Sequence, residues 1–188
     1  KSSAASDVYK RQLLNKAMIE VMESALQKAA GEGMDEFIQV FTDKYKEIIG
    51  GELTADTMPL LTGEQHSLLA YQIFRDEIMF GGFCQLIQNG YGGYIFDNPF
   101  AKVMRLWGAE EFSKLVYKAK KIYDANRKDL EKERTDDEFM AMYEQYEAFD
   151  DLEEAYLDME EQVTTLVASY VDCLLYTSPS PRDAHESR

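Results

Sequence analysis

Carboxylates are the chemically capable groups this chain has in quantity. Asp and Glu number 35 against 20 Lys and Arg, a formal net charge of −15. The densest run holds fifteen acids, Asp129, Glu131, Glu133, Asp136, Asp137, Glu138, Glu144, Glu147, Asp150, Asp151, Glu153, Glu154, Asp158, Glu160 and Glu161, opposed only by Lys132 and Arg134. Such groups bind hard cations, move protons, or imitate a row of phosphates. If helical, the run extends roughly 50 Å with one net charge per ~4 Å, close to the ~3.4 Å phosphate repeat of one DNA strand. Within it Glu147, Asp151, Glu154, Asp158 and Glu161 recur at four, three, four and three residues and so share a helix face. Like charges at that spacing oppose the helix by a few tenths of a kcal/mol each, which is tolerable where the field has a use. The plainer alternative is a solvated face that keeps the protein soluble.

Catalysis has little else to work with. His66 and Cys84 are the only histidine and cysteine outside the chain ends, and a lone histidine beside a helix start serves structure more often than chemistry. Asp76-Glu77 beside Gly81-Gly82 could hold Mg²⁺ in a carboxylate metal-dependent enzyme. Against this, adjacent acids on a helix point to different faces. Di-metal helical bundles use Glu-x-x-His, which does not occur because His66 follows Glu64 by only two. Gly81-Gly82 also lacks the Lys and Thr of a phosphate loop. The expectation is therefore a non-enzymatic protein with no catalytic residue, metal or cofactor. Its charge disfavours direct contact with nucleic acid or an anionic membrane and favours a basic partner. With neither a signal peptide nor a membrane-length apolar run, the cytoplasm is expected.

Both ends read as foreign. The stretch Asp7 to Gln12 back-translates to a DNA element whose reverse complement, shifted by one base, encodes Cys173 to Thr177. Inverted flanking elements of this kind resemble translated sequencing adapters, so residues 1–12 and 172–188 are set aside from fold reasoning. Residues 1–12 carry +2 and residues 173–188 carry zero, so the charge of what lies between them becomes −17. Residues 13–61 then read as a helical hairpin with a linker, and residues 62–171 as a helical domain.

The elements that must position the carboxylates all have helical period. Apolar residues predict helices over Leu13 to Ala30 and Met34 to Ile49, separated by Gly31 and Gly33. Thr62-Gly63-Glu64-Gln65 has the form of a capping box opening a largely apolar helix to about Met79. Gly81-Gly82 then permits a sharp bend and close helix approach. Asn98-Pro99 reads as a cap with proline at the first position of a helix to Trp107. Ala109 to Asn126 is amphipathic and lysine-rich. Thr135-Asp136-Asp137-Glu138 is a second capping box, and the three-and-three spacing of Tyr146, Phe149 and Leu152 predicts a break near Asp150-Asp151. Tyr143, Tyr146 and Tyr156 fit core positions better than an interface. The class is all-α, with seven to eight mostly short helices, the longest near the C-terminus, in a single domain.

Gln65, Glu77, then Gly81-Gly82-Phe83, then Gln85, Leu86, Ile87 and Asn89 form a pattern that resembles the DMP19-like family of small bacterial proteins. Leu106-Trp107-Gly108-Ala109 and Phe149-Asp150-Asp151-Leu152 with Tyr156 extend the resemblance over Glu64 to Val171. Phe80 stands where the family usually has Asn. The resemblance implies an acidic, all-helical, often homodimeric protein that offers carboxylates where a basic DNA-binding protein expects phosphates. On that reading the partner-binding face comprises Asp136, Asp137, Glu144, Glu147, Asp150, Asp151, Glu154, Asp158 and Glu161, while the glycine motif is structural.

Overall fold

The computed structural model describes residues 25–29 and 31–177. The end segments 1–12 and 178–188, and residues 13–24 of the first expected helix, lie outside the described residues. The described residues form helices joined by turns and short loops and contain no strand. A helical turn over residues 25–29 is followed by α1 (Met34–Ile48), α2 (Gly63–Gln88), α3 (Gly92–Phe96), α4 (Phe100–Leu106), α5 (Glu110–Leu130), α6 (Asp136–Gln145) and α7 (Asp150–Thr177). At 28 residues α7 is the longest of them. None of these helices is long and apolar enough to cross a membrane. The described residues pack as two compact units, one ending at His66 and the other beginning at Ser67, the division falling inside α2.

In the first unit, α1 buries Phe37, Ile38, Phe41, Thr42 and Tyr45, the i, i+4 pair Phe37 and Phe41 meeting edge to face at 5.4 Å. The predicted cap on α2 forms in both directions. The Gln65 amide donates to Thr62 Oγ1 at 3.2 Å, and the Thr62 amide donates to Gln65 Oε1 at 2.9 Å. His66 ties to the Met58 carbonyl at 2.7 Å, a structural role.

The second unit is organised by α2, whose residues 67–74 are all buried. Phe74 lies at the centre, with Phe83, Phe112 and Tyr156 arranged edge to face around it at 5.7, 5.1 and 5.0 Å. Edge-to-face contacts place positive ring edges on negative faces, each adding about 0.5–1.5 kcal/mol beyond burial. Helix α7 runs antiparallel to α2. Tyr71 meets Thr164 at 2.7 Å, Arg75 meets Glu160 at 2.5 Å and the Phe83 amide meets Glu153 at 2.7 Å. Tyr156 is fully buried, Tyr146 nearly so, and Tyr143 donates to the Gly81 carbonyl, so these three rings serve the interior.

Two boundaries differ from expectation. Asn98 does not cap α4. Its side-chain amide donates to the Tyr94 carbonyl of the preceding helix at 3.0 Å, leaving Pro99 at the cap and Phe100 as the first helical residue. Helix α5 runs on to Leu130, four residues beyond Asn126, because its apolar period continues through Leu130, which is fully buried. The break before α7 falls as a 3-10 turn, Glu147–Phe149, which lets Tyr146 and Phe149 both turn inward. Beyond the buried Val171, Asp172, Cys173 and Leu174 are exposed.

Candidate partner-binding surface

Helices α6 and α7 carry the acidic run, and the fold sorts its members into two sets. Asp136 and Asp137 lie in the first turn of α6, where the helix dipole favours them, and Glu144 lies near its end. Glu147 is in the 3-10 turn, Asp150 and Asp151 begin α7, and Glu154, Asp158 and Glu161 occupy its next turns. All nine are exposed, as is Glu133. Among the described residues, none of these ten makes a side-chain hydrogen bond or ion pair. At about 100° per residue, Asp150, Asp151, Glu154, Asp158 and Glu161 fall within an arc of about 100° on α7. They cover roughly 16 Å of helix axis, one carboxylate per ~4 Å.

The other five acids face into the structure or cap it. Asp129 accepts from Lys132 at 2.7 Å, Tyr146 at 2.5 Å and Arg134 at 2.8 Å. The Lys132 hydrogen bond, reinforced by Tyr146 and Arg134, holds its carboxyl well below the usual range. Glu131 accepts from the Tyr123 hydroxyl. Glu138 completes the second capping box, accepting from the Thr135 amide at 2.8 Å while its own amide donates to Thr135 Oγ1 at 3.3 Å. Glu160 accepts from both Arg75 and Thr164. Burial raises the Glu153 carboxyl, a tendency that the Phe83 amide opposes.

The glycine motif is built around this last contact. At Gly82 the backbone takes φ 73° and ψ −169°, a conformation open essentially to glycine alone, and the axis of α2 bends there. A Cβ on Gly82 would lie 2.3 Å from Glu153 Oε1. The freed amide of Phe83 is taken by that carboxylate, so the anion at the glycine pair is the chain's own Glu153. Across the bend, Glu77 Oε2 accepts from Gln85 at 3.0 Å and from Asn89 at 2.8 Å. Phe83 stacks on Phe149 at 4.9 Å. Gln65 belongs to the α2 cap rather than to this cluster.

The adjacent acids Asp76 and Glu77 diverge, Asp76 toward Gln72 at 2.8 Å and Glu77 across the bend. Among the described residues no three His, Cys, Asp or Glu side chains converge as metal ligands. Cys84 is buried and its thiol is pushed up to about 12 by burial, well out of nucleophilic range. An open recess beside α3, α4 and α5 mixes Ile95, Phe96 and Val116 with Asp97, Lys102 and Lys120, and contains none of the expected site residues.

One surface residue entered the sequence reading only as a departure from the family pattern, its exposure unforeseen. Phe80, on the last turn before the bend, is 86% exposed. The available signal was an aromatic beside two glycines, out of step with the apolar face of α2.

The chain matches the family model described as DMP19-like protein over residues 59–173. It is also 32% identical over 117 residues to a protein of Neisseria meningitidis serogroup B (strain ATCC BAA-335 / MC58) named DNA mimic protein DMP19. That alignment covers 62% of this chain and 71% of that protein.

Proposed function

This chain belongs to the DMP19-like family, and from that membership we propose that its α6–α7 surface binds a basic protein face that otherwise contacts DNA. It acts by binding rather than by catalysis. The observation that carries the reading is the separation of the acidic run into carboxylates held by the fold and ten exposed ones that have no side-chain partner among the described residues. Surface acids that stabilised the fold would be paired with nearby cations, as Asp129 is with Lys132 and Arg134. The unpaired set instead faces solvent on successive turns at a spacing close to that of phosphates along one DNA strand.

The energetics of such a contact follow from charge. A protein surface that binds DNA carries Lys and Arg arranged for phosphate oxygens, and carboxylates can accept the same hydrogen bonds. Complementary fields raise the association rate and make affinity fall with salt. The relative's name supports the same assignment.

The test is retention of basic DNA-binding proteins from a bacterial lysate on the immobilised chain at low salt, their release at high salt, and competition by duplex DNA. Recovery of no basic partner at low salt would contradict the proposal. Binding that duplex DNA leaves unaffected would contradict its mimicry component.

A further inference from the structure

A recess of about 360 Å³ lies where the turn between α3 and α4 meets α5. Small-ligand sites begin near ~300 Å³, and this one contains none of the acidic-surface residues. Local chemistry fixes its walls. Asn98 gives its side-chain amide back to the Tyr94 carbonyl at 3.0 Å and Pro99 restricts the next φ, which turns the chain between α3 and α4. Ser113 donates to the Ala101 carbonyl at 2.6 Å, and Arg127 meets Asp97 at 2.9 Å, so α5 is tied to α4 at one point and to that turn at another. Val116, Tyr117 and Lys120 lie between those two ties, Lys120 following by four and three residues, and so share a face of α5. Walls held in this way need little ordering when a ligand enters.

The lining suits an apolar body that carries one negative charge. Ile95, Phe96, Ala101 and Val116 supply apolar surface, and Tyr117, 46% exposed, adds an accessible ring. Of the charged groups, Asp97 is answered by Arg127, and Lys120 by Asp124 at 3.0 Å. Lys102 is exposed and has no side-chain partner among the described residues. One cation is thus left over beside apolar walls.

We propose that this recess binds a small aromatic monocarboxylate, its ring against Phe96, Val116 and Tyr117 and its carboxylate on the Lys102 ammonium. Ring-to-ring contact adds to the burial of apolar area, and a hydrogen bond between two charged groups is stronger than one between neutral groups. The chain as a whole is negative, so its long-range field repels an anion. A preference for a carboxylate over its neutral analogue therefore requires a local cation. The site is independent of the partner-binding reading and stands or falls without it.

Phenylpropionate and its neutral analogue phenylpropionamide, each titrated against the full chain by backbone-amide NMR, read both the place of binding and its charge preference. The acid is expected to saturate with millimolar affinity, to shift amides within residues 95–102 and 116–120, and to bind about tenfold tighter than the neutral analogue. K102E should remove that preference. K121E, the same charge change on an exposed lysine of α5 outside the recess, should leave it intact. Y117A should weaken both compounds alike. No saturable binding of the acid up to about 20 mM, or shifts scattered over other helices, would overturn the site. Equal affinity of the two compounds, a preference that survives K102E, or one lost equally in K121E would overturn the assignment of the carboxylate to Lys102.

Discussion

On its inner side α7 gives Glu153 to the Phe83 amide and Glu160 to Arg75 and Thr164, while on its outer side Asp150, Asp151, Glu154, Asp158 and Glu161 are exposed and have no side-chain partner among the described residues. The two sides share residue types and differ in what surrounds them. Inside, each carboxylate answers a donor that burial would otherwise leave unpaired, so its removal leaves an uncompensated polar group. Outside, each carboxylate repels its neighbours and adds only field. Stability therefore belongs to the inner side of α7, and the proposed binding to the outer.

Substitutions should separate the two sides in a definite order. Tyr156→Ala opens a cavity beside Phe74 and Phe112 and breaks the polar chain through Tyr71, so urea unfolding should show a loss of about 3–5 kcal/mol. Gly82→Ala forces a side chain into a glycine-only conformation and against Glu153, and should cost about 3 kcal/mol in the same measurement.

Opposite pH slopes should follow from two neutral replacements. The folded pKa of Glu153 is raised by burial, so the native state binds the proton more readily and stability falls as pH rises between the unfolded and folded values. E153Q should flatten that part of the stability profile. The folded pKa of Asp129 is lowered, chiefly by Lys132, so its contribution is complete above the ordinary value of 3.8 and is lost as pH falls through the lowered one. D129N should remove that acid-side loss. Melting curves across pH check both, and a shared slope would contradict the assignment.

Much of the frame was legible in the sequence because it is local. Both capping boxes depend on residues three apart, and the three-and-three spacing around Phe149 announced the break before α7. The glycine pair marked the bend for the same reason. Two features were not legible, the first because it joins segments far apart in sequence, the second because a short polar side chain had two local partners to choose between. Glu153 serves an amide seventy residues away, so nothing in the acidic run distinguished it from Glu154 beside it. Asn98 resembled a cap until its amide found the Tyr94 carbonyl. The outer carboxylates were legible as a stripe, but only burial and pairing show which of the fifteen acids are left unused.

The smallest expected effect on stability is also the most informative about binding. Replacing Asp151, Glu154, Asp158 and Glu161 by Asn or Gln should leave the melting temperature unchanged or slightly higher, since like charges are removed. With a basic DNA-binding protein retained by the unaltered chain, affinity measured between about 50 and 200 mM salt should fall steeply for that chain. The fourfold variant should bind far more weakly at low salt and with a shallower slope. A variant that binds as tightly as the unaltered chain at low salt, with the same slope, would show that the exposed row of α7 is only a solvated face.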